Sequence, residues 1–222
     1  MTWEEYTAAW SRLHGGFDPA QAAPPVRGWV RLAYRIGSWL GRRRVGPAAV
    51  TTAGLVLCLA VPAMVPLGRD GLLLATLLVL AAAVADGLDG AVAVITGRAS
   101  RLGYVYDSVA DRLGELAWLA ALRLAGAPGW LVAAAGAASW LHEYARARAT
   151  AAGMNEIGVV TVAERPTRVL VTIFGLLAAA VAPVAVPLSV TVAAALWLTL
   201  ALVGLCQLAL AIRRALAPPP TG

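Results

Sequence analysis

The sequence predicts an all-α polytopic membrane protein with six transmembrane helices, preceded by an amphipathic helix at the membrane interface. Of its 222 residues, 60% are hydrophobic and only 14% are charged, a balance too apolar for a soluble domain of this size. Six apolar runs each approach the ~20 residues that a helix needs to cross a bilayer. These runs are 47–67, 71–94, 102–122, 130–141 with its continuation, 169–181 and 188–212.

Residues 25–45 predict the amphipathic helix. Arginines recur at four-residue steps on one face, and large apolar side chains fill another. These residues are Arg27, Arg31 and Arg35, and Trp29, Leu32, Ile36 and Trp39. The pattern is typical of a helix in the cytoplasmic membrane interface, although a helix packed on the bundle would show it too. On either side, we expect 1–24 to be a short cytoplasmic extension, 46–214 the six-helix membrane domain and 215–222 a disordered tail.

The arginines predict the orientation in the membrane. Only Arg69 and Arg123 lie in the loops after the first and third runs. The alternate loops and the flanks hold Arg42, Arg43, Arg44, Arg98, Arg101, Arg146, Arg148, Arg165, Arg168, Arg213 and Arg214. By the positive-inside rule, we expect a multi-pass protein of the cell membrane with both termini in the cytoplasm. A nucleic-acid partner is not expected.

Two pairs of acidic residues interrupt the second and third runs. An ionised aspartate at bilayer depth costs roughly 2.5–3.5 kcal/mol, so Asp86 and Asp89, in VADGLDGAVAV, need a compensating partner. In LGYVYDSVADRLGE, Asp107 and Asp111 lie one helical turn apart on one face. Counted from the connection at 98–101, the first pair lies ~18 and ~13 Å along its helix and the second ~9 and ~15 Å. Antiparallel neighbours would therefore bring all four carboxylates to a similar depth.

Four converging carboxylates without histidine or cysteine predict a site for a hard cation. Mg²⁺ or Mn²⁺ is expected rather than zinc, and two ions would offset the four charges. Gly87 and Gly90 leave backbone space beside the aspartates for a ligand. Glu115 extends the face of the second pair and could instead pair with an arginine. Acids inside a membrane also mark ion or proton pathways, so an ion-handling bundle is the alternative.

The spacing of these residues resembles that of the membrane CDP-alcohol phosphotransferases, also called CDP-alcohol phosphatidyltransferases. Their pattern is D-x2-D-G-x2-A-R-x8-G-x3-D-x3-D, and this chain keeps every spacing. One residue differs, because Val94 stands where the family has arginine. The six-span plan and the amphipathic helix also agree, so the resemblance covers most of the chain. The matching residues are Asp86, Asp89, Gly90, Ala93, Gly103, Asp107 and Asp111.

The resemblance implies transfer of a phosphatidyl group from a CDP-linked lipid, such as CDP-diacylglycerol, to a polar alcohol, with CMP as the leaving group. Asp86, Asp89 and Asp107 would be ligands of two divalent ions. Asp111 would be the general base and could also be a metal ligand. The CDP-lipid would contact Thr51, Gly90, Ala93, Arg98 and Gly103, with Arg98 reaching back to replace the missing arginine.

A second family motif in the first span is only partly kept. The family has P-N/D-x2-T-x2-G, and this chain keeps Pro47, Thr51 and Gly54 but has Ala48 at the second position. Together with Val94, this change puts the nucleotide contacts in question, so an inactive paralogue is a further alternative. Thr51 could equally be an ordinary helix hydroxyl that bonds its own backbone.

The stretches YARARATAAGM and ERPTR resemble parts of the actinobacterial phosphatidylinositol-phosphate synthases. There the region forms a pocket for the acceptor phosphate, so Arg146, Arg165 and Arg168 would bind that phosphate, with Arg112 as a fourth candidate. Arginines at these places also occur as positive-inside anchors. Inositol phosphate is the acceptor expected first, with glycerol phosphate and phosphatidylglycerol as alternatives. The family commonly forms homodimers, which runs of small residues would permit here.

Overall fold

The computed structural model describes residues 1–13, 18–19, 21–154 and 160–216. Within these ranges the chain forms eight α-helices and no β-strand, which confirms the all-α class. Each of the six apolar runs forms one helix, from α3 to α8. The helices are α1 (Trp3–Leu13), α2 (Pro24–Arg42), α3 (Pro47–Met64), α4 (Gly68–Thr96), α5 (Arg101–Leu124), α6 (Gly129–Ala151), α7 (Arg165–Val181) and α8 (Val186–Leu216).

Two segments of the described chain are long and apolar enough to cross a membrane. They are Pro47–Thr96, which contains both α3 and α4, and Pro183–Leu216, which contains α8. α7 is only 17 residues long. α5 carries four charged side chains between positions 107 and 115, which lower its hydropathy. Length and hydropathy alone therefore support two spans and not six.

The N-terminal extension contains a helix that the sequence analysis did not predict. α1 begins with a capping box, in which the Glu5 N–H donates to Thr2 Oγ1 at 3.2 Å and the Thr2 N–H donates to Glu5 Oε2 at 2.8 Å. The T-x-x-E spacing was the signal for this helix start. At the other end of the chain, Ala215 and Leu216 belong to α8, and the rest of the expected tail, 217–222, lies outside the described residues.

Aromatic side chains pack α1 on α2. The ring centroid of Tyr34 lies 5.2 Å from that of Tyr6 and 5.4 Å from that of Trp3. Tyr6 is 1% exposed, and burial raises the pKa of its hydroxyl to about 12 because the phenolate would lose its solvation. The Tyr34 hydroxyl donates to the Met1 carbonyl at 3.0 Å. α1 is therefore an integral part of the N-terminal structure.

The chain comprises two compact units, Met1–Leu57 with Ala81–Gly114 and Cys58–Leu80 with Glu115–Gly222. In the second unit, α6 and α7 both pack on α8. The Trp197 indole N–H donates to Ser139 Oγ at 2.8 Å. A Cβ atom at Gly175 would lie 2.5 Å from Ala193 Cβ, so glycine permits the close approach of α7 and α8.

In the first unit, α2 packs on α4 and also keeps an exposed apolar face. Val30 and Ala33 are buried in one core with residues of α4. A Cβ atom at Gly37 would lie 2.9 Å from Ile95 Cδ1, which explains a small residue at this crossing. Trp39 remains 49% exposed and Leu32 47% exposed. Both expectations for this amphipathic helix are thus compatible, because one face packs inward and another faces outward.

Candidate active site

A tight turn after α4 reverses the chain between the two acid-bearing helices. Gly97 has a φ angle of 65°, in the left-handed region that glycine adopts without a steric penalty. Its N–H donates to the Val94 carbonyl at 3.2 Å, and the Arg98 N–H donates to the Ala93 carbonyl at 3.0 Å. The two bonds form a Schellman motif. α4 therefore ends at Thr96, and the chain turns back at Arg98.

Ser100 then begins α5 as its N-cap residue. Its Oγ accepts a hydrogen bond from the Gly103 N–H at 3.0 Å, which satisfies one of the free donors at the helix start. Asp107 and Asp111 follow on one face of this helix. The short connection brings that face toward the acids of α4.

The four aspartates converge, as their spacing predicted. One carboxylate oxygen from each of Asp86, Asp107 and Asp111 lies within 4.8 Å of the others. Asp89 is 7% exposed, and its side chain interacts directly with that of Asp107. Two helices thus contribute two carboxylates each to a single cluster.

Thr51 connects α3 to this cluster. Its hydroxyl lies 2.7 Å from Asp89 Oδ2 and 3.1 Å from the Pro47 carbonyl oxygen. A hydroxyl has one proton, so the two acceptors share or exchange it. Thr51 therefore bonds its own helix, as one interpretation of the sequence expected, and it also holds a cluster aspartate. Its contact with the CDP-lipid stays a prediction.

The cluster fits a divalent cation. Its donors are all carboxylate oxygens, the ligands that hard ions such as Mg²⁺ and Mn²⁺ prefer. Asp107 Oδ1 is buried and accepts no hydrogen bond from the described part of the chain. A buried carboxylate oxygen without a partner is costly, and a bound cation would remove that cost. Asp86, Asp89, Asp107 and Asp111 are therefore suitable ligands.

A cavity of about 800 Å³ lies beside the cluster in the first unit. Asp89 and Asp107 line it, so the acids face a space large enough for a substrate. A Cβ atom at Gly90 would meet nothing within 4 Å, which leaves the α4 backbone open to a ligand. The cavity is also lined by all five predicted CDP-lipid contacts, Thr51, Gly90, Ala93, Arg98 and Gly103.

Thr52 and Tyr106 are among the cavity residues that the sequence analysis missed. The hydroxyls of Thr52 and Tyr106 are 2.8 Å apart and both residues line the cavity. Each directly neighbours a predicted site residue, Thr51 or Asp107. That adjacency was the only sequence signal, and it could not show that the two side chains meet.

Arg168 has partners other than a phosphate. It is 3% exposed in the second unit, and its guanidinium donates to Glu115 at 2.9 and 3.1 Å and to Glu143 at 3.0 Å. Glu115 therefore pairs with an arginine, which was one of the two predicted options. Two carboxylates compensate its charge, and Arg168 joins α5, α6 and α7. Its contact with the acceptor phosphate stays a prediction.

The other predicted phosphate-binding arginines have varied surroundings. Arg146 forms an ion pair of 2.5 Å with Glu164. The guanidinium of Arg165 lies over the Trp118 ring, 5.7 Å from its centroid. In the first unit, Arg112 lies 3.9 Å from Asp111. These side chains keep partial access, since Arg146 and Arg112 are each 16% exposed.

The family relationship follows from comparison with known proteins. The model of the CDP-alcohol phosphatidyltransferase family matches residues 44–209. An archaetidylinositol phosphate synthase of Pyrococcus horikoshii is 31% identical over 138 residues, which cover 62% of this chain and 72% of that protein. A phosphatidylinositol phosphate synthase of Mycolicibacterium smegmatis is 32% identical over 158 residues, which cover 66% and 68%.

Crystal structures show the same fold. The phosphatidylinositol phosphate synthase of Mycobacterium tuberculosis with CDP-DAG bound has a TM-score of 0.70 and 24% identity, and the match covers 84% of this chain and 96% of that one. The complex of that enzyme with manganese and citrate has a TM-score of 0.69 and 23% identity, with 83% and 90% covered. With a family match over most of its length, the chain belongs to the CDP-alcohol phosphatidyltransferases, as its aspartate pattern predicted.

Proposed function

We propose that this protein transfers a phosphatidyl group from CDP-diacylglycerol to inositol phosphate and releases CMP. The observation that carries the proposal is the convergence of four aspartates beside a cavity lined by all five predicted CDP-lipid contacts. Inositol phosphate is favoured over glycerol phosphate and phosphatidylglycerol because the relatives named above are archaetidylinositol and phosphatidylinositol phosphate synthases. The retained acid cluster argues against an inactive paralogue or an ion-handling bundle.

In the proposed mechanism, Asp111 accepts the proton of the acceptor hydroxyl. The hydroxyl oxygen forms a bond to the phosphatidyl phosphorus, and the bond from that phosphorus to the oxygen of CMP breaks, so CMP leaves with the bonding electron pair. Asp111 is suited to this role because its side chain is 17% exposed at the cluster and so remains reachable. The guanidinium of Arg112 lies 3.9 Å from Asp111 Oδ2, so a cation neighbours the proposed base.

Asp86, Asp89, Asp107 and Asp111 would hold two divalent ions, Mg²⁺ or Mn²⁺. Such ions stabilise negative charge on phosphate oxygens during phosphoryl transfer. Thr51 orients Asp89 for this task through its 2.7 Å hydrogen bond. Orientation of a ligand by a second hydrogen-bonding group is a general feature of metal sites.

Arg98 supplies a cation where the family's arginine is missing. Val94 and Arg98 both line the cavity, and the Schellman turn at Gly97 redirects the chain so that Arg98 follows directly. The guanidinium would bind the pyrophosphate of the CDP-lipid. Arg146, Arg165 and Arg168 would bind the acceptor phosphate, with Arg112 as a fourth candidate.

We also propose that α3 to α8 all cross the bilayer, as the multi-pass plan requires, with both termini in the cytoplasm. The arginine distribution supports this orientation. Large apolar side chains are exposed on helices that hydropathy alone does not identify, including Trp130, Trp140, Leu170 and Phe174. α2 would lie in the cytoplasmic interface, and residues 46–214 would form one membrane domain.

A homodimer is also proposed. Members of the family commonly form homodimers, and the run of small residues at 133–139 would permit close helix packing.

The decisive experiment is an assay of CMP release by the purified protein. It would contain CDP-diacylglycerol and Mg²⁺ or Mn²⁺, with inositol phosphate, glycerol phosphate or phosphatidylglycerol in separate reactions. We expect CMP only with inositol phosphate, and a loss of about 10²- to 10⁴-fold in Asp111→Asn. Asp70→Asn, in the first turn of α4, is the matched control and should remain active. CMP release with glycerol phosphate or phosphatidylglycerol, but not with inositol phosphate, would refute the acceptor assignment. No CMP release with any of the three would refute the transfer itself.

A further inference from the structure

A second cavity of the first unit is lined by Arg98 and by three arginines that have no role in the proposed phosphatidyl transfer. It has a volume of about 740 Å³. Arg35 and Arg42 of α2, Arg44 after that helix and Arg98 after α4 line it, and we call it the arginine recess. No acidic residue of the described ranges lines it. Within the described chain, none of these four side chains forms an ion pair.

The charge around the recess is unbalanced. Four like charges around one cavity repel one another, and the repulsion is relieved when an anion enters. Positive-inside arginines would explain charge at this end of α2, but they would not require the groups to surround one cavity. Two further observations at the recess have no explanation in membrane topology.

The first is the backbone of Arg44. Its φ angle is 62°, and it is the only non-glycine residue with a positive φ in the described parts of the chain. The Arg44 N–H donates to the Gly41 carbonyl at 3.0 Å and the Val45 N–H to the Leu40 carbonyl at 3.1 Å. This is a second Schellman motif, and Arg44 occupies the position that favours glycine. A non-glycine residue kept in this backbone conformation beside a charged cavity indicates a functional constraint.

The second is the hydroxyl of Ser38. This residue lines the recess, and its Oγ atom is buried without a hydrogen-bond partner in the described chain. A buried hydroxyl without a partner is unfavourable, and native structures rarely retain one without a reason. An anion in the recess would accept a hydrogen bond from it.

We propose that the arginine recess binds the phosphate group of an anionic ligand, at a site separate from the acid cluster. Guanidinium groups bind phosphate oxygens through two parallel hydrogen bonds, and the Ser38 hydroxyl adds a neutral donor. The volume exceeds that of a bare phosphate, so a substituted phosphate fits. Arg98 lines both this recess and the larger cavity beside the aspartates. A ligand in the recess would therefore lie beside Arg98, which also lines the substrate cavity.

The test compares two double variants that remove the same charge. Arg35→Gln with Arg42→Gln removes two recess arginines, whereas Arg27→Gln with Arg43→Gln removes two exposed arginines of α2 and its C-cap that do not line the recess. Binding of phosphatidic acid to the full chain in detergent would be measured by native mass spectrometry. Binding of inorganic phosphate would be measured by calorimetry in phosphatidylcholine nanodiscs with a metal chelator present.

We expect the recess variant to bind at least about tenfold more weakly and the control variant to match the wild type. Loss in the lipid arm alone identifies a lipid headgroup, and loss in the phosphate arm alone identifies a soluble phosphate. Arg44→Gly provides a second check, because it relieves the left-handed strain and should raise the melting temperature while it weakens binding. Equal binding by the recess variants and the control in both arms would overturn the proposal.

Discussion

At the scale of single residues, the acid cluster depends on neighbours outside the aspartate pattern. Asp89 is held by Thr51 on another helix. Asp107 Oδ1 is buried without a hydrogen-bond partner among the described residues, which favours a bound cation. Arg98 is placed by a glycine turn and not by a helical position. The chemistry proposed for the aspartates therefore rests on residues that hold them in place.

Thr51→Val tests the link between α3 and the cluster. The variant keeps the shape of the side chain but loses the hydroxyl that contacts Asp89 at 2.7 Å. We expect the concentration of Mg²⁺ or Mn²⁺ needed for half-maximal CMP release to rise about 10- to 100-fold. Thr76→Val is the control, since the Thr76 hydroxyl donates only to the Leu72 carbonyl of its own helix. An unchanged metal requirement in Thr51→Val would show that the hydroxyl does not position a ligand.

Arg98→Gln tests the replacement of the family's arginine. Loss of a charged phosphate contact should raise the KM for CDP-diacylglycerol by about tenfold. Adding Val94→Arg to this variant should restore the KM, because it returns a guanidinium to the family position. Arg101→Gln removes a nearby exposed charge outside the cavity and serves as the control. If the KM stays constant in Arg98→Gln, the arginine has no role in donor binding.

At the scale of helices, glycine and buried ion pairs decide which elements can pack. Gly87 admits the Trp29 ring against α4, since a Cβ atom there would lie 2.6 Å from Trp29 Cζ2. In the second unit, Arg168 joins three helices through Glu115 and Glu143. Neither the close approach at Gly87 nor the ion pairs of Arg168 can be predicted from the local sequence, because each depends on a residue far along the chain.

Gly87→Ala should destabilise the packing of α2 on α4. The added methyl group would overlap the Trp29 ring, and overpacking of this kind costs about 1–3 kcal/mol. Thermal unfolding in detergent would measure the loss as a lower melting temperature. Gly28→Ala is the matched control, because a Cβ atom there meets nothing within 4 Å. Adding Trp29→Leu should recover part of the loss, and equal stability of the two alanine variants would contradict the close approach.

Arg168→Met should leave two carboxylates facing each other without their cation. Breaking a buried ion pair in this way costs about 3–5 kcal/mol. We expect a clear drop in melting temperature, which Glu115→Gln in the same chain should partly reverse. Arg148→Met, in the last turn of α6, changes the same charge at an exposed position and is the control. A stable Arg168→Met variant that loses only acceptor binding would instead support the phosphate contact predicted from the sequence.

At the scale of the whole molecule, the acidic side chains fall into two groups, which differ in the residues that they contact. In the second unit, Glu115, Glu143 and Glu164 lie against arginines. In the first unit, the four aspartates gather against one another. Acids that are paired with arginine stabilise packing, whereas acids that are grouped together store repulsion that a bound cation relieves.

Mn²⁺ should therefore stabilise the folded protein. A ligand that binds only the native state contributes about 2.7 kcal/mol at a concentration 100 times its dissociation constant. We expect Mn²⁺ to raise the melting temperature of the wild type and a chelator to lower it. Asp86→Asn with Asp107→Asn should melt at a higher temperature than the metal-free wild type and respond weakly to Mn²⁺. The same metal response in this variant and in the wild type would locate the ion elsewhere.

The sequence by itself determined the helical class, the six apolar helices and the convergence of the aspartates. Each of these features follows from local periodicity, from hydrophobic run length or from spacing across one short turn. Even the missed α1 had a readable capping box in Thr2 and Glu5. Only the tertiary structure decided what contacts lie between distant residues. It paired Thr51 with Asp89, Thr52 with Tyr106 and Arg168 with Glu115 and Glu143, because the partner of a polar side chain depends on helix packing and not on its neighbours in the chain.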